Sequence, residues 1–145
     1  MPSHPLCGTW RLVSWENRSA TGDVTYPLGP DAVGYLTYTA DGYVFVALMR
    51  AERAHFAAGD LLAGSTDELA AAAAGYVSYA GTYRLRAGRV IHHVLASLFP
   101  NWVGTDQERI VGWDGGHLLL STPPTAFGGQ QQTAHLVWER VGRDE

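Results

Sequence analysis

The stretch that decides the fold is RVIHHVLASLFPNWVGTDQERIVGWDGGHLLL, residues 89–120. Apolar segments rich in Val, Leu and Ile alternate with short segments containing Gly, Pro or Asn, which is the pattern of consecutive antiparallel strands. The polar residues His92, His93 and Arg109 stand among the apolar ones. Each of them must either face solvent or serve something inside the core, so the direction of each side chain decides what a site can contain.

The same pattern extends over the whole chain of 145 residues, a length that suits one domain, residues 1–145. Short segments rich in β-branched and aromatic residues recur between glycine-containing turns, which predicts an all-β fold. We predict strands near residues 8–18, 24–26, 34–40, 43–50, 80–86, 89–99, 106–113, 116–122 and 133–141. Tight links between them predict antiparallel pairing of neighbours.

One segment departs from this pattern. Ser65 and Glu68 form a capping box before an alanine run, which predicts a helix ending near Gly75 or a few residues later. With the residues before it, the helix forms an insertion of roughly 30 residues between two strands. We expect it to cap one end of the fold, either as a fixed plug or as a mobile lid.

Composition narrows the function classes. The net charge of -4, without a basic block, argues against nucleic acid as a partner. The start lacks the basic and apolar regions of a secretory signal, and no apolar run reaches the roughly 18 residues of a membrane span. A single cysteine, Cys7, excludes an internal disulfide and fits a reducing compartment. We therefore expect a cytoplasmic protein with no membrane partner.

Hairpin turns fix the strand register, and the register fixes which face is inside. We interpret RAGR, WDGG and ADGY as two-residue turns, and the link from 100 to 105 as a short hairpin. These turns set four pairs opposite each other: Tyr83 and His92, Arg109 and Leu120, Tyr38 and Phe45, and Val94 and Val111. The adjacent histidines then separate, with His92 pointing inward and His93 outward.

The predicted interior is mostly apolar and contains a few polar groups. Its polar members are Glu16, Tyr38, Tyr83, His92, Gln107 and Arg109, and an ion pair between Glu16 and Arg109 would satisfy both charges. The predicted ligand-binding wall consists of Tyr38, Phe45, Met49, Tyr79, Val94, Gln107, Val111, Trp113, Leu120 and Trp138. On the opposite face, Val44, Val46 and Leu48 form an apolar patch that predicts a possible homodimer.

Several of these segments resemble a known family. GTWRLVSWE, GYLTYTADGYVFV, YAGTYRL, VIHHVLASLFPNWVGTDQER and LVWER, in this order, are similar to the bacterial and fungal lipocalin-like domain family, whose members are often associated with natural-product biosynthesis. The resemblance implies an antiparallel barrel of about eight to ten strands around a hydrophobic pocket. It also implies that Trp10, in the Gly8-Thr9-Trp10 segment, packs against a late arginine, for which Arg140 is the candidate.

The remaining residues favour acid–base chemistry over other kinds. The histidines lack metal-ligand spacing, and no nucleotide-binding motif is present, so we expect neither a metal nor a cofactor. His92 beside Tyr83 could exchange protons, Arg109 could hold an oxygen atom, and Glu16 could act as a second acid or base. We expect an enzyme of secondary metabolism that cyclises, isomerises or dehydrates a hydrophobic polyketide- or terpenoid-like intermediate. The alternative is a passive carrier of a hydrophobic small molecule.

Overall fold

The computed structural model describes residues 4–142, and within them the chain forms a closed antiparallel β-barrel. The elements are β1 (Gly8–Ser19), β2 (Val24–Thr25), β3 (Val33–Tyr38), β4 (Tyr43–Met49), α1 (Thr66–Ala74), β5 (Tyr76–Arg86), β6 (Arg89–Ser97), a 3-10 helix (Pro100–Trp102), β7 (Asp106–Asp114), β8 (His117–Ser121), β9 (Thr125–Phe127) and β10 (Gln130–Arg140).

Eight long strands form the barrel wall. β1 pairs with β3, the next strands pair in chain order from β3 to β8, and β8 pairs with β10. Pairing of β10 with β1 closes the barrel, which leaves no long edge strand exposed. The short β2 and β9 are attached to β1 and β10. The predicted all-β, lipocalin-like barrel is confirmed, although the sequence interpretation missed β9 and began β5 too late.

The predicted helix is also present, with the capping box that its sequence indicated. The Ser65 side chain accepts from the Glu68 backbone N–H, and the Glu68 carboxylate accepts from the Ser65 backbone N–H. Within α1 no side chain is buried. Residues 50–75 therefore contribute little to the core, and none of them lines the barrel cavity described below.

Two of the predicted hairpins have a different register but keep the predicted faces. Trp113 pairs with Leu118 instead of Gly116, so Val111 lies opposite Leu120. The hairpin between β6 and β7 is longer than predicted, and Val94 bonds to Thr105 instead of lying opposite Val111. Both errors shift the pairing by an even number of residues, and an even shift returns each side chain to the same face.

The hairpin between β3 and β4 reverses the predicted facing of β4. Tyr38 pairs with Val44, one residue away from the predicted partner Phe45. An odd shift moves every side chain of a strand to the other face. Val44, Val46 and Leu48 are consequently buried in the core, whereas Phe45 is 50% exposed and Met49 shares its outer face. The prediction that Phe45 and Met49 belong to the ligand-binding wall was wrong. The apolar patch of Val44, Val46 and Leu48, which suggested a homodimer, does not lie on the surface.

A β-bulge reverses the second half of β1. The register against β10 shifts between Leu12 and Ser14, so Trp15 and Asn17 turn inward after the bulge. Glu16 faces out and pairs with Arg18, with 2.7 Å between Arg18 Nε and Glu16 Oε2. The predicted placement of Glu16 inside the barrel, and its ion pair with Arg109, were wrong.

One end of the barrel is filled by packed side chains. Trp10 is 1% exposed, and the Arg140 guanidinium lies 4.2 Å from its ring centroid, as the family resemblance implied. A cation–π contact of this kind contributes about 0.5–2 kcal/mol. Arg140 also donates to the Pro5 and Cys7 carbonyls at 2.6 and 2.7 Å, which fixes the N-terminal segment across this end. Among the described helices, none is long and apolar enough to cross a membrane.

Candidate ligand-binding site

A cavity of about 120 Å³ occupies the other half of the barrel interior. Antiparallel pairing brings the late part of β1, the early parts of β5 and β7 and the late part of β8 to the same end, opposite Trp10. The wall is mostly apolar and aromatic, and its members include Trp15, Leu36, Val46, Leu48, Val77, Tyr79, Trp102, Leu120, Phe127, Leu136 and Trp138. An engineered apolar cavity of about 150 Å³ binds benzene, so this space suits a molecule built on a single ring.

His92 is the central polar group of this wall. It lies on β6 at a fully buried position, with 1% of its surface exposed. Its Nε2 lies 2.7 Å from the Tyr38 hydroxyl, and its Nδ1 lies 2.6 Å from the Tyr79 hydroxyl. Both ring nitrogens are therefore engaged, and the imidazole is held at a fixed angle between two phenols.

Burial keeps this group of side chains neutral. Desolvation, reinforced by the positive charge of Arg109, lowers the pKa of His92 to about 3. Desolvation also raises the pKa of Tyr38 and of Tyr79 above the ordinary value for a phenol. At neutral pH the Tyr38–His92–Tyr79 group consists of a neutral imidazole and two protonated phenols.

Arg109 and Gln107 on β7 complete the polar part of the wall. Arg109 lies beside the Tyr79 hydroxyl, where its charge partly opposes the rise of the Tyr79 pKa. Its guanidinium donates to the Glu108 carbonyl at 2.9 Å, and no carboxylate of residues 4–142 forms an ion pair with it. Gln107 donates its amide nitrogen to Thr105 Oγ1 at 2.9 Å, which leaves its amide oxygen as an acceptor.

Comparison with known proteins agrees with this architecture. The profile of the family described as "Lipocalin-like domain" matches residues 7–141. The chain belongs to the lipocalin-like domain family. One relative is the 4'-hydroxy-3'-methoxypropiophenone carrier protein of Aspergillus oryzae (strain ATCC 42149 / RIB 40), which is 38% identical over 93 residues. The matched region covers 58% of this chain and 84% of the relative. No solved structure gave a significant match.

In this lipocalin-like protein, six of the predicted site residues line the cavity together. They are Tyr79, His92, Gln107, Arg109, Leu120 and Trp138. Four others lie inside the barrel but in the packed region beside the cavity: Tyr38, Tyr83, Val94 and Val111. Trp113 is 47% exposed and packs against Trp10, at the opposite end of the barrel from this cavity, which it does not line. In the part of the chain that the structure describes, no group of three or more His, Cys, Asp or Glu is arranged to hold a metal ion.

Tyr83 pairs with His92 across the strands as predicted, but its phenol points elsewhere. The hydroxyl donates to the Thr39 carbonyl at 2.7 Å and lies 2.7 Å from His4 Nε2. Cys7 Sγ lies 3.4 Å from the same histidine nitrogen. Tyr83 thus belongs to a cluster beneath the N-terminal segment. Its hydroxyl does not contact His92, so the predicted role of Tyr83 as the proton-transfer partner of His92 was wrong.

Sequence reasoning missed several cavity residues for identifiable reasons. The prediction that Glu16 points inward places its neighbour Trp15 on the outer face, because the bulge in β1 has no signature in a strand that is apolar on both sides. Val46 and Leu48 were predicted on the outer face because the predicted register at the β3–β4 turn differs from the observed one by one residue. Trp102, in the 3-10 helix, stacks edge-to-face with Tyr79 at 5.7 Å between centroids, a contact that depends on the length of the hairpin.

Proposed function

We propose that this lipocalin-like protein binds a small, mostly apolar aromatic molecule inside the barrel and carries it without changing it. The observation that supports this most directly is the cavity of about 120 Å³ at one barrel end, walled by aromatic and aliphatic side chains. Ligand pockets combine such walls with a few polar groups that orient the ligand. The relative named as a carrier of an aromatic ketone supports a role of the same kind.

The geometry favours a carrier over the cyclase, isomerase or dehydratase that the sequence suggested. Proton transfer requires an acid or base that can reach the ligand with a pKa near the working pH. His92 has both nitrogens occupied and a pKa lowered to about 3, while Glu16 faces solvent. His92 therefore lines the cavity without a suitable pKa, and neither Tyr83 nor Glu16 lines the cavity.

Binding can be tested through the protein's own fluorescence, since Trp15, Trp102 and Trp138 all line the cavity. We expect 4'-hydroxy-3'-methoxypropiophenone to change the emission saturably, with a Kd of the order of 10–100 μM for a molecule of this size. After prolonged incubation the compound should be recovered unchanged, as checked by mass spectrometry. Recovery of a cyclised, isomerised or dehydrated product would favour the enzyme instead.

A pair of neighbouring substitutions shows whether the ligand occupies the barrel. Val46→Phe adds bulk to the cavity wall, and we expect it to weaken binding about tenfold or more. Phe45→Val changes the adjacent residue on the outer face, which is half-exposed, and should leave the Kd within about twofold. Equal effects of the two changes, or no saturable binding by the wild type, would count against the proposed function.

A further inference from the structure

Two hydrogen-bond donors stand on the cavity wall beside the acceptor oxygen of Gln107, and these donors indicate the chemistry of the ligand. The first donor follows from the protonation of His92. A neutral imidazole carries one N–H donor and one bare nitrogen acceptor. Of the two phenols bonded to it, one must therefore donate a hydrogen and the other must accept one.

Both phenols are buried, and within residues 4–142 neither hydroxyl has an acceptor besides His92. Tyr79 lines the cavity and Tyr38 does not, and this difference decides which phenol donates to the imidazole. Tyr38 is 1% exposed, and within residues 4–142 its hydroxyl has no hydrogen-bond partner besides His92 Nε2. A buried O–H without an acceptor is costly, so the Tyr38 hydrogen must go to Nε2. The imidazole proton is then on Nδ1 and is donated to the Tyr79 oxygen, 2.6 Å away. The hydrogen of the Tyr79 hydroxyl remains available, and Tyr79 lines the cavity.

The second donor is the guanidinium of Arg109. Arg109 lines the cavity and forms no ion pair within residues 4–142, so it is a cationic donor on the same wall as Tyr79. The indole nitrogen of Trp138 also has no hydrogen-bond partner in the described chain, but it is completely buried, so a molecule in the cavity does not reach it.

We propose that the bound molecule supplies acceptor oxygens to these donors, and that it is an aryl ketone or a similar aromatic carbonyl compound held by the Tyr79 hydroxyl and the Arg109 guanidinium. Tyr38 and His92 are positioning residues, since they fix the imidazole tautomer that directs the Tyr79 hydrogen into the cavity. This inference rests on the proposed function, because it names the ligand class of the same site.

Two molecules of nearly equal shape separate the polar contribution from the apolar one. Propiophenone and propylbenzene differ in the carbonyl oxygen, so the ratio of their Kd values within one variant cancels effects on the apolar cavity. We expect Tyr79→Phe to weaken propiophenone binding about 5- to 10-fold, as for the loss of one hydrogen bond, and to leave propylbenzene within about twofold. The matched control Tyr83→Phe removes a phenol that does not line the cavity and should keep the wild-type ratio.

Arg109→Met provides an independent test and should shift the ratio in the same direction. The infrared stretch of the bound carbonyl should also be lower in the wild type than in Tyr79→Phe, because hydrogen bonding weakens the C=O bond. If the ratio is unchanged in both variants while both compounds bind, the ligand-class inference is overturned and the binding function stands. If neither compound nor the methoxylated ketone binds the wild type, both proposals fail.

Discussion

Replacing His92 should remove a large part of the acid sensitivity of folding. The imidazole is buried between two phenols, and its pKa is lowered from 6.5 to about 3. Between these values the unfolded chain takes up a proton at this position and the folded chain does not. The stabilising effect is therefore complete above pH 6.5 and is progressively lost as the pH falls toward 3.

The size of the effect follows from the same two values. Each pKa unit corresponds to about 1.36 kcal/mol, so at pH 4.5 this one histidine should lower the free energy of unfolding by about 2–3 kcal/mol relative to pH 7. Small domains have total stabilities of about 5–15 kcal/mol, so the loss is a substantial fraction. Because the group is almost completely buried, screening by solvent does not reduce this magnitude appreciably.

The assay compares urea unfolding of the wild type and His92→Gln at pH 7, 6, 5 and 4.5. Glutamine can both donate and accept within the same group of phenols but does not titrate, so the variant should lose less stability than the wild type over this range. His117→Gln, at an exposed position on β8, controls for substituting a histidine and should follow the wild type. Parallel pH profiles of wild type and His92→Gln would refute the buried, neutral imidazole.

Two further predictions test the barrel itself. A Cβ on Gly81, at the bulge of β5, would overlap the His93 carbonyl oxygen. Gly81→Ala should therefore lower the free energy of unfolding by about 2 kcal/mol or more, as measured by urea unfolding. The control Gly59→Ala should be nearly neutral, because nothing lies within 4 Å of the added Cβ. Ser65→Ala should accelerate amide exchange in α1 about fivefold through the lost cap without moving the unfolding midpoint of the barrel, whereas Thr66→Ala should do neither.

The sequence predicted the barrel well because turns and β-rich segments alternate along nearly the whole chain. The facing of each strand was a harder problem, and parity explains which predictions survived. Errors of two residues at the WDGG turn and of several at the β6–β7 hairpin left His92, Gln107 and Arg109 on the inner face. An even error preserves the face because side chains alternate with a period of two.

Odd errors had the opposite outcome, and each has a local physical cause. At the β3–β4 turn, Thr39 pairs with Tyr43 through the backbone, which makes a three-residue loop with Gly42 at a φ of 98°. ADGY alone fits either this loop or the two-residue turn that we expected. In β1 the bulge is set by closure against β10, so residues near Glu16 take their direction from a strand more than 100 positions away.

The burial that creates a dry cavity also determines what its polar groups can do. An imidazole with a pKa of about 3 has lost most of its affinity for protons, so it is a poor general base at neutral pH. The same imidazole, bonded through both nitrogens, is a rigid link between a phenol in the packed half of the barrel and a phenol at the cavity wall. In the arrangement that we propose, Tyr38 influences the ligand without touching it, because it determines where the hydrogen of Tyr79 points. Such a rigid, neutral donor can orient an acceptor oxygen while leaving its chemistry unchanged, as a carrier requires.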